Sequence, residues 1–108
     1  MRMWMVNPRL MCSQHLLGEH VEIHMLVGTL RRGKSIAGFL ENNLLEVHSI
    51  RSRHAELARE MRRRGMKHQS PLPKFRARRL GRVSRVQNLA ELARRCKKCR
   101  AQQKVRRG

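Results

Sequence analysis

The sequence contains no Asp and no Tyr. Its seven acidic residues are all Glu, and its aromatic residues are Trp4, Phe39 and Phe75. So few rings argue against a single-strand binder built on a row of stacking platforms. Without Asp, a nucleotide-hydrolysing phosphate loop lacks its usual second metal ligand. No apolar run approaches the roughly 20 residues that cross a bilayer. The opening MRMWMV is too short for a signal-peptide core. Cys12, Cys96 and Cys99 make an odd count that does not describe a secreted disulfide scaffold. Together these absences lead to the expectation of a soluble protein of the cytoplasm, without membrane contact; a monomer is the expected state.

Positive charge is abundant. The 108 residues carry a net charge of +19, distributed unevenly: residues 1–61 contribute +2 and residues 62–108 contribute +17. A chain that repels itself this strongly calls for a polyanion, and nucleic acid is the commonest one. Double-stranded DNA is the expected partner, with RNA as an alternative.

The hydrophobic pattern predicts an all-α protein. Ser13 can cap a helix that runs to about Val27, with Leu16, Leu17, Val21, Met25 and Ile23 on its buried side. A strand over Val21–Val27 is the rival reading, disfavoured by the helical composition of SQHLLGEH upstream. Ser35 can cap a short helix to about Asn43. Ser49 can cap a longer one over about 49–64, which Gly65 ends. Residues 66–81 hold Pro71, Pro73 and Gly81 and read as a linker. A last helix over about 83–103 places Val86, Leu89, Ala90, Ala93 and Cys96 on one stripe. The expected architecture is a small compact bundle of about three helices over 1–73, followed by a basic, partly helical arm over 74–108.

Three motifs suggest chemistry without requiring it. GTLRRGKS, Gly28 to Ser35, matches G-x-x-x-x-G-K-[ST] letter for letter. The pattern needs a preceding strand and a magnesium-binding Asp, so a glycine-bounded basic turn is preferred, from which Arg31, Arg32 and Lys34 reach DNA phosphates. His20-Val21-Glu22 with Cys96-x-x-Cys99 imitates the zinc deaminase signature, but Arg95 stands where Pro is usual. Cys96 and Cys99 also have the internal spacing of half a structural zinc site, which Cys12 or His68 can complete. The competing reading is two ordinary cysteines on a basic helix, their thiol pKa values lowered by the surrounding cations. The i, i+4 pair His20/His24 can bind a metal as well, although histidines on a polar helix face commonly meet only water.

A fourth set of residues carries a resemblance. Arg2 follows the terminal Met1 directly. Gln14-His15-Leu16 is followed by Glu19 and Glu22, and NLLEVHSIRSRHAELAREMRRRG leads through Leu57, Glu60, Arg64 and Gly65. In these segments the sequence resembles the phage-type pyrimidine-dimer DNA glycosylases, the endonuclease V type, over about residues 1–73. The opening MRMW and NPRL look like the small bacterial relatives. The resemblance implies a DNA-repair glycosylase with abasic-site lyase activity on damaged duplex DNA, needing no metal or cofactor. It implies that the α-amine of Met1 is the nucleophile, forming a Schiff base at the sugar C1′, and that Glu22 is the acid–base and electrostatic residue. A free α-amine titrates at about 7.7–8.0, so a useful fraction is neutral near pH 7. Met1 must be retained, since bulky Arg2 follows it. Arg2 and His15 are implied to position the DNA backbone or the flipped nucleotide, and Arg51 and Arg53 on the second long helix join the expected DNA-binding set.

The sequence departs from the family pattern in three places. Val21 and Met25 replace two arginines of the family's first helix, the region between the long helices is shorter, and a Lys/Arg arm replaces a Tyr-rich C-terminal segment. The alternative is therefore a non-enzymatic basic DNA- or RNA-binding protein on the same scaffold, such as a ribonucleoprotein component.

Overall fold

The computed structural model describes residues 1–67 and 70–107, with the side chains of 106 and 107 excepted. Five helices follow one another: α1 (Ser13–Arg31), α2 (Ala37–Glu41), α3 (Ile50–Arg63), α4 (Arg85–Arg95) and α5 (Lys97–Arg107). Short 3-10 turns at Pro8–Leu10 and Val47–Ser49 precede α1 and α3. Among the described residues there is no strand; one antiparallel bridge pairs Glu46 with Gly81. No helix among them is long and apolar enough to cross a membrane.

The centre of the fold is α1 against α3. Both bury residues at helical spacing: Leu16, Ile23, Leu26 and Val27 from α1, and Ile50, Leu57 and Met61 from α3. The apolar N-terminal segment Met3–Val6 lies in the same core. Val83, Leu92 and Cys99 also join it, so the segment beyond residue 74 shares one core with the rest. α5 packs beside α4 and against the first 3-10 turn.

Several expectations are corrected. α1 continues to Arg31, and its N-cap is Cys12 rather than Ser13. The helix is also rotated from its expected orientation: Leu17, Val21 and Met25 are about half exposed, while Glu19 and His20 point inward. Glu19 turns in because Arg53 of α3 neutralises it there; the His20 ring meets His54 of α3, with ring centroids 4.9 Å apart. The short helix is only Ala37–Glu41, capped by Ile36 without a side-chain bond. Ser49 does stand at the N-cap of α3, but its hydroxyl donates to Glu46 instead of receiving a helix N–H. The expected last helix is two helices, broken at Cys96 in an extended conformation (φ −130°, ψ 113°). Val86 is exposed, and Asn88 and Leu92 take the inner positions of α4.

Residues 70–84 form no helix, in keeping with a linker, but they are anchored. Val47 N–H donates to Leu80 O at 2.8 Å, and Val83 N–H donates to the Glu46 carboxylate at 3.1 Å. Gly81 has φ +86°, and a Cβ there would fall 2.0 Å from Leu45 O, so no other residue fits without moving backbone.

Candidate active site and basic surface

The N-terminal segment runs beside α1, and this places Glu22. The backbone N–H of Arg2 donates to Glu22 Oε2 at 3.4 Å. The α-amine of Met1 is three covalent bonds from that nitrogen, so the carboxylate and the terminal amine are neighbours. Met1 is exposed and Glu22 half-buried. Glu22 faces an open groove of about 390 Å³, lined also by Arg2, Trp4, Gln14, His15, Gly18, Glu19 and Arg95. On the exposed side of α1 the apolar side chains Leu17, Val21 and Met25 follow one another one helical turn apart.

Arg2 is held from three sides. Its guanidinium lies 3.7 Å over the Trp4 ring, donates to Asn88 Oδ1 at 2.9 Å and pairs with Glu91 at 3.1 Å. Asn88 in turn donates to Trp4 O at 2.9 Å. α4 therefore fixes the second residue of the chain, and with it the neighbourhood of the amine. The contribution of Asn88 and Glu91 was invisible in the sequence, because nothing there relates residues so far apart.

The expectation that Arg53 touches DNA is overturned. Its side chain is 1% exposed and lies in the core, donating from Nε and Nη2 to both oxygens of buried Glu19 at 2.6 and 2.7 Å. The remaining donors go to Val6 O at 2.6 Å, Glu56 at 2.8 Å and Met11 Sδ at 3.4 Å. Burial opposes its charge, but these acceptors outweigh that and raise its pKa. It is a core cation whose partners are all protein atoms.

The other expected phosphate contacts are exposed. Arg31, Arg32 and Lys34 stand at the C-terminal end of α1 and the turn after it, where Arg31 donates to Lys74 O at 2.6 Å. Arg31 and Lys34 rim a cleft of about 380 Å³ together with Arg76 and Arg78. Arg51 is exposed too, lying over the Phe75 ring and donating to Phe75 O at 3.3 Å. Residues 28–31 are helical and no strand precedes them, so GTLRRGKS is the end of a helix and a basic turn, not a phosphate loop. Likewise His20 is grouped with His24 and His54 and not with Cys96 and Cys99, so no deaminase arrangement forms.

His15 lies apart from the other histidines. Its ring edges Trp4 with centroids 6.0 Å apart, and its Nδ1 is 3.3 Å from Cys12 Sγ and 3.6 Å from Cys99 Sγ. Cys12, His15, Cys96 and Cys99 offer ligand atoms that all lie within 4.8 Å of one another. Cys12 thus joins Cys96 and Cys99 as expected, and His68 lies outside the described residues. The role of His15 as a fourth member was missed, although Cys12-x-x-His15 repeats the spacing of Cys96-x-x-Cys99. The two thiols of the latter pair differ. Burial pushes Cys99 up to about 12, against the expectation from the surrounding cations. At Cys96 burial acts in the same sense, but N–H and S–H donors from Cys99, Cys12 and Lys98 outweigh it and lower the value. His20, His24 and His54 form a second group between α1 and α3, with rings 4.9–5.2 Å apart; His20 is buried there, not on a polar surface.

A family model described as pyrimidine dimer DNA glycosylase matches residues 1–74. No curated protein and no solved structure matches the chain.

Proposed function

The chain belongs to the pyrimidine dimer DNA glycosylase family, and from that premise we propose that it is a glycosylase and abasic-site lyase whose nucleophile is the α-amine of Met1. As a DNA glycosylase it acts on DNA; the residues and steps are this reading's own content. The observation that carries it is the approach of Glu22 to the first peptide of the chain, 3.4 Å from the Arg2 N–H.

In this reading the neutral α-amine attacks C1′ of the damaged nucleotide. The C1′–N glycosidic bond breaks, and the leaving base takes up its electron pair and a proton. The amine nitrogen then loses a proton, the C1′–O4′ bond opens as the nitrogen lone pair forms the C=N bond, and the ring oxygen takes up a proton; the resulting iminium carries a positive charge beside the Glu22 carboxylate, which stabilises it electrostatically. β-Elimination then removes a C2′ proton, with Glu22 as the nearby base, and expels the 3′ phosphate. Hydrolysis of the imine returns the amine. Arg2, held by Trp4, Asn88 and Glu91, restricts the freedom of the first residues, so that little ordering is left to be done at the transition state. Val21 and Met25, exposed on α1, offer apolar contact to bases unstacked around the lesion. Arg31, Arg32, Lys34 and Arg51 engage phosphates and orient the duplex.

Borohydride trapping tests the reading. The protein is mixed with labelled duplexes carrying a cyclobutane pyrimidine dimer, an abasic site, or no lesion. A covalent adduct and strand cut are expected on the dimer substrate, both lost after N-terminal acetylation, with cleavage reduced at least ~10²-fold by Glu22→Gln. An adduct that survives acetylation would show a lysine, and not Met1, to be the nucleophile.

A further inference from the structure

We propose that Cys12, His15, Cys96 and Cys99 form a tetrahedral structural zinc centre that ties the start of α1 to the start of α5. The proposal does not depend on the reaction mechanism above.

The distances fit. A tetrahedron with Zn–S bonds of about 2.3 Å and a Zn–N bond of about 2.0–2.1 Å has S···S edges of about 3.8 Å and S···N edges of about 3.6 Å. Here Cys12 Sγ and Cys96 Sγ are 3.9 Å apart, and His15 Nδ1 is 3.3 Å from Cys12 Sγ and 3.6 Å from Cys99 Sγ. Three of the six edges thus match a zinc tetrahedron, and all four ligand atoms lie within 4.8 Å of one another.

The local construction is the same on both sides. Cys12 is the N-cap of α1 and Cys96 immediately precedes α5. In each case the cap sulfur accepts the backbone N–H of the residue three positions on, His15 or Cys99, at 3.4 Å, and that residue supplies the second ligand. A further N–H, from Cys12, donates to Cys99 Sγ at 3.3 Å. Backbone donors and two helix N-termini therefore converge on the sulfurs, which favours thiolates. The break between α4 and α5 falls at Cys96, where the extended backbone turns its sulfur towards Cys12.

The chemistry selects the ion. Three sulfurs and one imidazole nitrogen suit zinc, and four protein ligands leave no open position, as in structural sites. Binding releases the three thiol protons to solvent and replaces them with three Zn–S bonds; the neutral imidazole adds its Nδ1 lone pair. The centre then carries a net charge of −1, amid the exposed Arg95, Lys97, Lys98 and Arg100. Because His15 also lines the groove of Glu22, the ion would fix one wall of that groove.

The test uses the full chain, produced with zinc and purified anaerobically with a phosphine reductant. Elemental analysis is expected to give one zinc per chain. Exchange into cobalt(II) should yield thiolate-to-cobalt charge-transfer bands and visible d–d bands of tetrahedral intensity, abolished by added zinc. His15→Cys should retain the tetrahedral spectrum with stronger charge transfer, whereas Cys99→Ser should weaken or lose it. His20→Ala should leave it unchanged, since the other histidine cluster holds no thiolate. A wild-type chain that stays helical by circular dichroism but gives no charge-transfer bands overturns the proposal. So does a Cys12–Cys96 disulfide that, once reduced, still leaves the chain unable to take up cobalt. Both readings use wild-type protein, so neither depends on the folding of a variant.

Discussion

Two buried polar groups at successive turns of α1 resolve the cost of burial in opposite ways. At Glu19 the carboxylate meets Arg53, and the guanidinium places its remaining donors on Val6 O and Glu56, so protein alone satisfies the pair. One turn earlier, Cys12 and His15 face Cys96 and Cys99, four groups joined by weak sulfur hydrogen bonds and proposed above to hold a cation. The first group joins two helices already packed together. The second joins α1 to α5, whose composition is largely basic and polar and which has little apolar surface of its own to hold it in place. The difference shows why a chain with a modest core would use a metal at its C-terminal end and an ion pair at its centre.

The largest expected effect comes from breaking the second group. Removing zinc with a strong chelator should cost several kcal/mol and lower the Tm by more than about 10 °C, with loss of protease protection confined first to α5. An unchanged Tm would mean that α5 docks without the ion. Breaking the first group should cost somewhat less. Arg53→Met leaves the Glu19 carboxylate buried and unpaired, and about 3–5 kcal/mol is expected from denaturant unfolding. The double variant Glu19→Met/Arg53→Met should recover most of that loss, because no charge is then stranded. A double variant no more stable than Arg53→Met alone would show that the pair is worth more than its desolvation cost.

A third polar group, at the far end of α3, sharpens the comparison by pH. Glu60 accepts from Arg63 Nε and Arg64 Nε, each at 2.8 Å, and Arg64 also donates to Pro8 O and Met11 O. Hydrogen bonds from Arg63 and Arg64 overcome the opposing effect of burial and hold the carboxyl at about 2, well below its ordinary 4.5. A carboxyl depressed by folding contributes stability that is present above 4.5 and is lost as the pH falls from there through about 2. With allowance for solvent screening at half-exposed Arg63, roughly 2 kcal/mol should disappear over that window. Glu60→Gln should flatten this part of the stability–pH curve; an identical curve in the variant would assign the acid sensitivity to other carboxyls.

How far these groups could be read from the sequence depended on whether the signal was local. Helices α1 and α3 follow from apolar spacing and from the Gly65 stop. The rotation of α1 did not, since Glu19 and His20 look like surface residues until Arg53 and His54 are placed opposite them. Arg53 looked like a phosphate ligand for the same reason: an arginine among arginines gives no sign of being buried. The interruption at Cys96 escaped because the residues on both sides favour helix and its neighbour there, Cys12, stands 84 positions away in the sequence. Only the repeated spacing, Cys12-x-x-His15 and Cys96-x-x-Cys99, announces the tetrad, and in the sequence His15 stands out through its position in the resemblance instead.

The smallest effect separates the exposed cations proposed to meet the duplex from the buried Arg53. Replacing Arg31, Arg32 and Lys34 with Ala should leave the fold intact, since all three are exposed. It should weaken binding to every duplex alike. For every phosphate that is no longer neutralised, the slope of log K against log salt should also become shallower by about 0.9. The Glu19→Met/Arg53→Met protein serves as the control. Its total cationic charge falls too, but Arg53 is enclosed by its partners, so no counterion is displaced at it when DNA binds. Its slope should match the wild type. A slope that falls with Arg53 but not with the exposed trio would place the DNA on α3 and remove the turn after α1 from the interface.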